Sequence, residues 1–439
     1  MSVAEPACLN RKTWPVKDRH PRIVHIGVGN FARAHLCAYT QLADQEHRWG
    51  IAAFSGRRPV AAYRLSAQDG LYTLIERGAE ADRLAVMDVI QAAYCGTDSE
   101  ALAAAVAAPA TAVVTLTVTE SGYTAGPESP CGRLAAALNS RRLAGGGPLA
   151  LVSCDNLTAN GSVLRQCVLE ASDRLGHGLA DWISRRVAFV STSVDRITPP
   201  AREADCALTE HELGFRDQAP VVTEPFTDWV LCGQFPAGRP DWELGGARFV
   251  QRLEPWELRK LWILNGGHSL LAYMGLMRGY RTVSEAVGDC GLRACLERYW
   301  DLAGSLLPGA ELGLPVYRSR LIERFANSRL GYPLAQVAAD GLSKLQNRVV
   351  PVINAALRTG ADPGAALPLI AAWLAWLCAA PENAGSDQRS AELRPALALA
   401  GADDRVLALL ERLAPEWPGH AGLTALIRAE LAGVKKEQQ

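Results

Sequence analysis

An α/β domain with a mostly parallel sheet, followed by an all-helical domain, is the fold class that this 439-residue sequence predicts. Three observations predict it. Short β-branched runs alternate with helical patterns through the first half of the chain, as parallel strands joined by helical crossovers read. A glycine-spaced turn falls between the first strand and the first helix. Past about residue 253 the β-rich runs stop, and Ala- and Leu-rich helical patterns with Pro and Gly between them take over. The expected domains are 1–252 and 253–439.

Taken in order, Arg22–Ile26 reads as a strand running into Gly27-Val-Gly29-Asn-Phe-Ala32, and Arg33–Asp44 as the helix after it. Gly50–Phe54 is a second strand. Ala112–Val118 is a buried central strand, and Leu149–Ser153 and Val187–Ser191 are two more. Helices fill the intervals, among them Glu100–Ala107 and Gly161–Leu175. Gly145-Gly-Gly-Pro148 is a turn between helix and strand. In the second half, Ala366–Ala379, Ala391–Leu399 and Asp404–Leu413 carry helical patterns.

Composition excludes several classes of function. Hydrophobic residues make up 49% and charged residues 21%, which is a globular rather than a disordered balance. The net charge is −1, and no basic run exceeds Lys435-Lys436, so neither nucleic acid nor an anionic membrane is an expected partner. The most apolar stretch, Ala365 to Ala380, is short and contains Pro368, so it reads as a buried helix rather than a membrane span. The eleven cysteines include no Cys-x-x-Cys, and Cys290 and Cys295 are the only close pair. They read as reduced, buried thiols, and with no apparent signal peptide the expected location is the cytoplasm. Eight histidines without ligand spacing argue against a zinc site.

Two segments carry chemistry. In Gly27-x-Gly29-x-x-Ala32 the first glycine permits a tight turn, the second lets a pyrophosphate approach the backbone, and the small third residue permits close helix packing. With Asn30 and Phe31 these residues form a candidate dinucleotide site; the bland alternative is an ordinary βα turn. The second strand lacks the acid that usually holds the adenosine ribose and ends Phe54-Ser55-Gly56-Arg57-Arg58. Arg57 and its neighbour can meet a 2′-phosphate or stay solvated. NAD is the coenzyme expected, and NADP stays open.

The other segment is Glu257-Leu-Arg-Lys260-Leu-Trp-Ile-Leu-Asn265-Gly-Gly-His268. In a regular α-helix Glu257, Lys260, Asn265 and His268 span an arc of roughly 140°. Apolar neighbours can desolvate Lys260 and make it usable as a general base. The bland alternative is a solvated surface helix that ends at Asn-Gly-Gly.

Together these stretches resemble the polyol-specific long-chain dehydrogenases, which include mannitol 2-dehydrogenase and fructuronate reductase. The resemblance also runs through Ile23-Val-His-Ile-Gly-Val-Gly-Asn-Phe-Ala-Arg-Ala-His35, Gln68-Asp-Gly-Leu-Tyr-Thr-Leu74, Val114-Thr-Leu-Thr-Val-Thr-Glu120 and Ser153-Cys-Asp-Asn156. It continues in Val194-Asp-Arg-Ile-Thr-Pro199, Thr223-Glu-Pro-Phe226, Phe235-Pro-Ala-Gly-Arg-Pro240 and Arg324-Phe-Ala-Asn327. It implies a Rossmann-type first domain, a helical second domain, no metal, and reversible oxidation of a secondary alcohol on a polyol or sugar acid. By the same resemblance Lys260 is the general base, and Asn156 and Asn265 hold the reacting oxygen. His268 and Asp195 partner substrate hydroxyls or orient the lysine, Glu257 conducts protons, and Arg348 binds substrate.

The chain departs from the family's pattern at Thr158, Ala159, Ser121, Gly267 and Trp262. These changes bear on the substrate pocket more than on the reaction. Each site residue has a structural alternative: Asn156 as a helix cap, Asp195 paired with Arg196, His268 as a core histidine, Arg33 and His35 as packing. The expected activity is interconversion of a polyol and a ketose of the mannitol/fructose type. A fructuronate reductase, with Arg348 or Arg324 meeting the carboxylate, is the runner-up, followed by pentitol or phosphohexitol dehydrogenases. A non-catalytic dinucleotide-binding regulator is the reading from a different class. A monomer is expected.

Overall fold

The computed structural model describes residues 6–176 and 178–436. The chain forms two compact units, Met1–Glu254 and Pro255–Gln439.

The N-terminal unit is built on an eight-stranded sheet. In chain order its strands are β1 Pro21–Ile26, β2 Gly50–Phe54, β3 Ile90–Tyr94, β4 Val113–Leu116, β5 Leu149–Ser153, β6 Val187–Asp195, β7 Asp228–Cys232 and β8 Arg248–Phe249. Their spatial order is 8-7-6-5-4-1-2-3, and every pairing is parallel except β6 with β7. The 3-2-1-4-5-6 portion is the doubly wound order, whose direction reverses beside β1. Successive residues feed opposite cores. Ile23, Ile51, Val113 and Val152 belong to one buried cluster, and Val24, Ala52, Val114 and Leu151 to the other. A parallel sheet covered on both faces requires this, and it explains why the strands are continuously apolar.

Several element boundaries differ from expectation. The first helix breaks at His35 (φ −107°, ψ −82°) into Asn30–Ala34 and Leu36–Ala43. The central strand ends at Leu116; the Thr117 amide still bonds the Ile26 carbonyl, but the Val118 and Thr119 amides both donate to the Asp155 carboxylate at 2.9 Å. A three-stranded sheet of Tyr72–Arg77, Asp82–Met87 and Val221–Thr223, not expected from the sequence, joins Tyr72–Arg77 to both neighbours. The glycine-rich turn before β5 is held by Arg141, whose guanidinium donates to the carbonyls of Val106, Thr111 and Gly147.

The C-terminal unit is helical, and among the described residues no strand lies beyond Phe249. The apolar stretch forms helix Leu367–Ala379, in which Trp373 is fully buried. No helix among the described residues is long and apolar enough to cross a membrane. All eleven cysteines are unbridged.

Candidate active site

The glycine turn comes directly after β1. Gly27 has φ +103°, and a Cβ there would lie 2.1 Å from the Thr117 carbonyl oxygen, so no other residue fits. The amides of Gly27 and Val28 both donate to the Phe54 carbonyl at 2.8 Å, and Thr117 Oγ1 donates to the Gly27 carbonyl at 2.8 Å. Gly29, by contrast, would meet nothing nearer than 3.8 Å. The backbone there is open to an approaching group. Ala32 is fully buried, and Phe31 stacks on His35 with ring centroids 4.9 Å apart.

Arg33 braces this turn: Nη2 donates to Asn30 Oδ1 at 2.8 Å, Nε to the Gly29 carbonyl at 3.3 Å, and Nη1 to the Ala219 carbonyl at 2.6 Å. His35 is fully buried and bonds the Asp228 carbonyl, a packing role. Above the turn lies a groove of about 1210 Å³ lined by Gly27, Gly29, Asn30, Arg57, Thr117 and Thr119 among others. Six arginines line it (Arg33, Arg57, Arg58, Arg64, Arg133 and Arg202) against two carboxylates, Glu128 and Glu203. An uncrowded glycine backbone in a cationic groove fits a dinucleotide pyrophosphate.

Asn156 and Asp195 stand at the carboxyl ends of the neighbouring strands β5 and β6, the end of the sheet that also carries the glycine turn. The helix after β5 is Asn160–Ser172, and its N-cap is Ala159 (φ +51°), whose methyl side chain makes no capping bond. Arg196 turns away from Asp195 and pairs instead with Glu76, the Glu224 carbonyl and the Ala34 carbonyl.

Sequence motifs alone did not single out Asp155. Its carboxylate accepts Tyr123 Oη at 2.7 Å besides the two amides, while its carbonyl accepts Asn160 Nδ2 at 2.9 Å. Burial pushes this carboxyl above its usual range, against hydrogen bonds that favour the carboxylate. Asp155 therefore ties the loop lining the groove to the residue next to Asn156. Its place beside Asn156 was the available signal.

In the C-terminal unit the predicted segment lies on one helical run: α-helix Glu254–Arg259, π-helix Lys260–Asn265 and α-helix Gly266–Met277. One part of the bland alternative and one expected geometry are corrected. Asn-Gly-Gly is not a helix end, since the run continues to Met277. Nor is the spacing that of a regular α-helix. The Gly266 amide reaches the Leu261 carbonyl, five residues back. In such a turn residues five apart, Lys260 and Asn265, lie little more than one turn apart rather than about 140° around the axis.

Burial tracks that face. Glu257, Lys260, Asn265 and His268 are half-buried, whereas Trp256, Arg259, Trp262, Ile263, Leu264, Gly266 and Gly267 are buried. Tertiary contacts support the wide turn. Trp300 Nε1 donates to the Ile263 carbonyl at 2.6 Å, and Ser269 Oγ and Arg348 Nη1 reach the Asn265 carbonyl at 3.1 and 3.5 Å. A Cβ on Gly266 would lie 2.1 Å from Tyr299 Oη, and one on Gly267 2.7 Å from Trp300 Nε1.

His268 is sandwiched between Phe325 and Tyr332, with centroids 5.2 and 5.3 Å away and planes within 19° of parallel. Arg348 bonds Ser269 Oγ at 3.1 Å and is surrounded by tyrosines; among the described residues no carboxylate pairs with it. Burial pushes its guanidinium down to about 10, while Tyr273, Tyr299 and Tyr332 oppose the shift. Lys344, also depressed by burial and by Arg348, donates to the Val337 carbonyl at 3.0 Å. Asn327 caps the turn after it through the Arg329 amide, a structural role. No group of three or more His, Cys, Asp or Glu that could hold a metal occurs among the described residues.

A doubly wound sheet with an open glycine turn, and a helical unit presenting lysine, asparagine and histidine on one face, define a dehydrogenase that uses a nicotinamide dinucleotide. The chain belongs to the mannitol dehydrogenase family: residues 21–244 match the model of the mannitol dehydrogenase Rossmann domain, and residues 252–415 that of the C-terminal domain. It is 34% identical to the D-mannonate oxidoreductase of Escherichia coli (strain K12), over 91% of this chain and 90% of that protein. It is 32% identical to the mannitol 2-dehydrogenase of Cereibacter sphaeroides, over 83% and 82%. Among solved structures, the Pseudomonas fluorescens mannitol 2-dehydrogenase in ternary complex with NAD and D-mannitol superposes with a TM-score of 0.78. The two are 30% identical, with 98% of this chain and 97% of that one covered.

Proposed function

We propose that the protein interconverts a polyol and its ketose, of the mannitol/fructose type, with NAD or NADP. Lys260 is the proton-transfer group, and Asn156 and Asn265 donate to the reacting oxygen. The observation that carries this reading is the π-turn, which draws Lys260 and Asn265 together on a half-open helix face. The coenzyme, when bound, supplies the hydride acceptor.

As the carbinol carbon is oxidised, its oxygen gains negative charge, and without a metal that charge needs preorganised donors and a base. The two amide NH₂ groups serve as those donors. Lys260 takes the hydroxyl proton and passes it towards solvent through Glu257. In reduction, Lys260 returns it. His268, fixed between two aromatic rings, and Asp195 bind neighbouring hydroxyls. In this reading the protein works as a monomer in the cytoplasm; a sedimentation mass of more than one chain would contradict the first point.

The test is Lys260→Ala. Oxidation should fall by about 10²–10⁴, the range of a lost acid–base group, with coenzyme affinity unchanged. Unaltered turnover would remove the lysine from the scheme.

A second reading, a sugar acid such as D-mannonate as substrate, is favoured by Arg348: a half-buried cation with no carboxylate partner among the described residues suits an anionic substrate group. Arg348→Gln should raise KM for D-mannonate far more than KM for D-mannitol. Equal effects on both substrates would leave Arg348 with a packing role.

A further inference from the structure

We infer that the groove is built for a coenzyme phosphorylated on its adenosine ribose, so that the protein prefers NADP(H) to NAD(H). The inference deepens the dinucleotide reading above and rests on it. In a doubly wound sheet the carboxyl end of the strand beside the glycine turn faces the adenosine ribose. A carboxylate there accepts the 2′-hydroxyl, and a guanidinium there meets a 2′-phosphate.

In this chain that strand end is β2. Phe54 is in register with Ile26, and its carbonyl holds the amides of Gly27 and Val28, so the residues after it are stitched to the turn. Ser55, next in line, is buried and already used: its hydroxyl accepts the Gly96 amide at 2.9 Å and donates to the Gly56 carbonyl at 3.2 Å. With its proton engaged and 1% exposure, it is shielded from a ribose hydroxyl. The next carboxylate along the chain is Asp69, which bonds the backbone amide of Arg11.

The residues beyond Ser55 are cationic instead. Arg57, Arg58 and Arg64 all line the groove and all are exposed, and none forms an ion pair or a side-chain hydrogen bond with another described residue. Other arginines of this unit are neutralised: Arg77 by Asp82 and Asp205, and Arg239 by Glu243. Gly56 adds room, since a Cβ there would meet nothing within 4 Å. Open space flanked by unneutralised guanidinium groups matches the geometry and charge of a phosphate dianion and offers nothing to a free vicinal diol.

The experiment is a fluorescence titration of the purified full chain with NADPH and with NADH, without substrate, so that affinity is read apart from turnover. NADPH should bind about ten-fold or more tightly than NADH, as expected for added guanidinium–phosphate contacts. Replacing both arginines (Arg57→Ser with Arg58→Ser) should weaken NADPH by a similar factor while NADH shifts little. Gly56→Asp should reverse the preference by supplying the missing acceptor. NADH binding as tightly as NADPH in the unmodified protein, or equal weakening of both in the double variant, overturns the inference and leaves the dinucleotide reading standing. Failure to bind either coenzyme overturns both.

Discussion

The glycine turn of the N-terminal unit and the π-turn of the C-terminal unit each present a few polar groups, but they are specified in different ways. At the glycine turn the constraint is local and steric. Gly27 adopts φ +103° with a carbonyl where its Cβ would be, and two residues later Gly29 faces open space. At the π-turn no residue has an unusual backbone angle, and the glycines that follow it are required by distant side chains, Tyr299 and Trp300, rather than by their own conformation. The wide turn persists because partners far along the chain, Trp300 and Arg348, join Ser269 in satisfying carbonyls around it. A site can thus be held by what its own residues forbid or by what distant residues supply.

The largest effect should come from breaking the local constraint. Gly27→Ala forces a methyl group into the Thr117 carbonyl at an unfavourable φ, and should cost on the order of 3 kcal/mol or more in denaturant stability and abolish coenzyme binding. Gly56→Ala, in open space, should be close to neutral; similar losses in both would show that the steric argument is wrong. Next in size, Trp300→Phe removes the donor to the Ile263 carbonyl. It should cost about 1–3 kcal/mol and lower kcat while leaving coenzyme affinity intact. A variant with normal kcat would mean that the π-turn does not depend on that indole.

The smallest effect is a pH dependence inside the sheet. His25, on β1, lies between Thr115 Oγ1 and Thr117 Oγ1, and burial lowers its pKa to about 4, opposed by a hydrogen bond that the ring gives to the backbone at Gly27. The folded state therefore keeps it neutral. As pH falls below 6.5 the unfolded chain takes up a proton that the folded one refuses, so stability present above 6.5 is lost towards 4. Going from pH 7 to 5.5 should cost about 1 kcal/mol, a loss that His25→Gln should reduce. An equal loss in that variant would assign the pH dependence to other groups.

Much of the first unit was legible because its signals are short-range. Parallel strands buried on both faces are runs of β-branched and apolar residues, and the glycine turn carries its own fingerprint. Tyr72–Arg77 and Asp82–Met87 escaped notice because their pairing mixes charged with apolar residues and weakens the alternation. Motifs pointed to Asn156 and Asp195 as candidates, but the network beside the first of them, Asp155 with Tyr123 and Asn160, joins residues 32 and 5 positions away from Asp155 and has no periodic signature. The α-helical arc drawn for Lys260 and Asn265 was wrong for the same reason: a turn's hydrogen-bond spacing is not written in the turn.

The amino-acid order alone determines the alternation of strand and helix, the positive-φ glycine and the chemical kinds of group available to a site, because each depends on neighbours a few residues away. The folded chain decides the width of the helical turn that joins lysine to asparagine, and leaves Arg348 half-buried among tyrosines and three groove arginines unneutralised. Those outcomes depend on which distant carbonyls, rings and carboxylates come within reach, and only packing sets that.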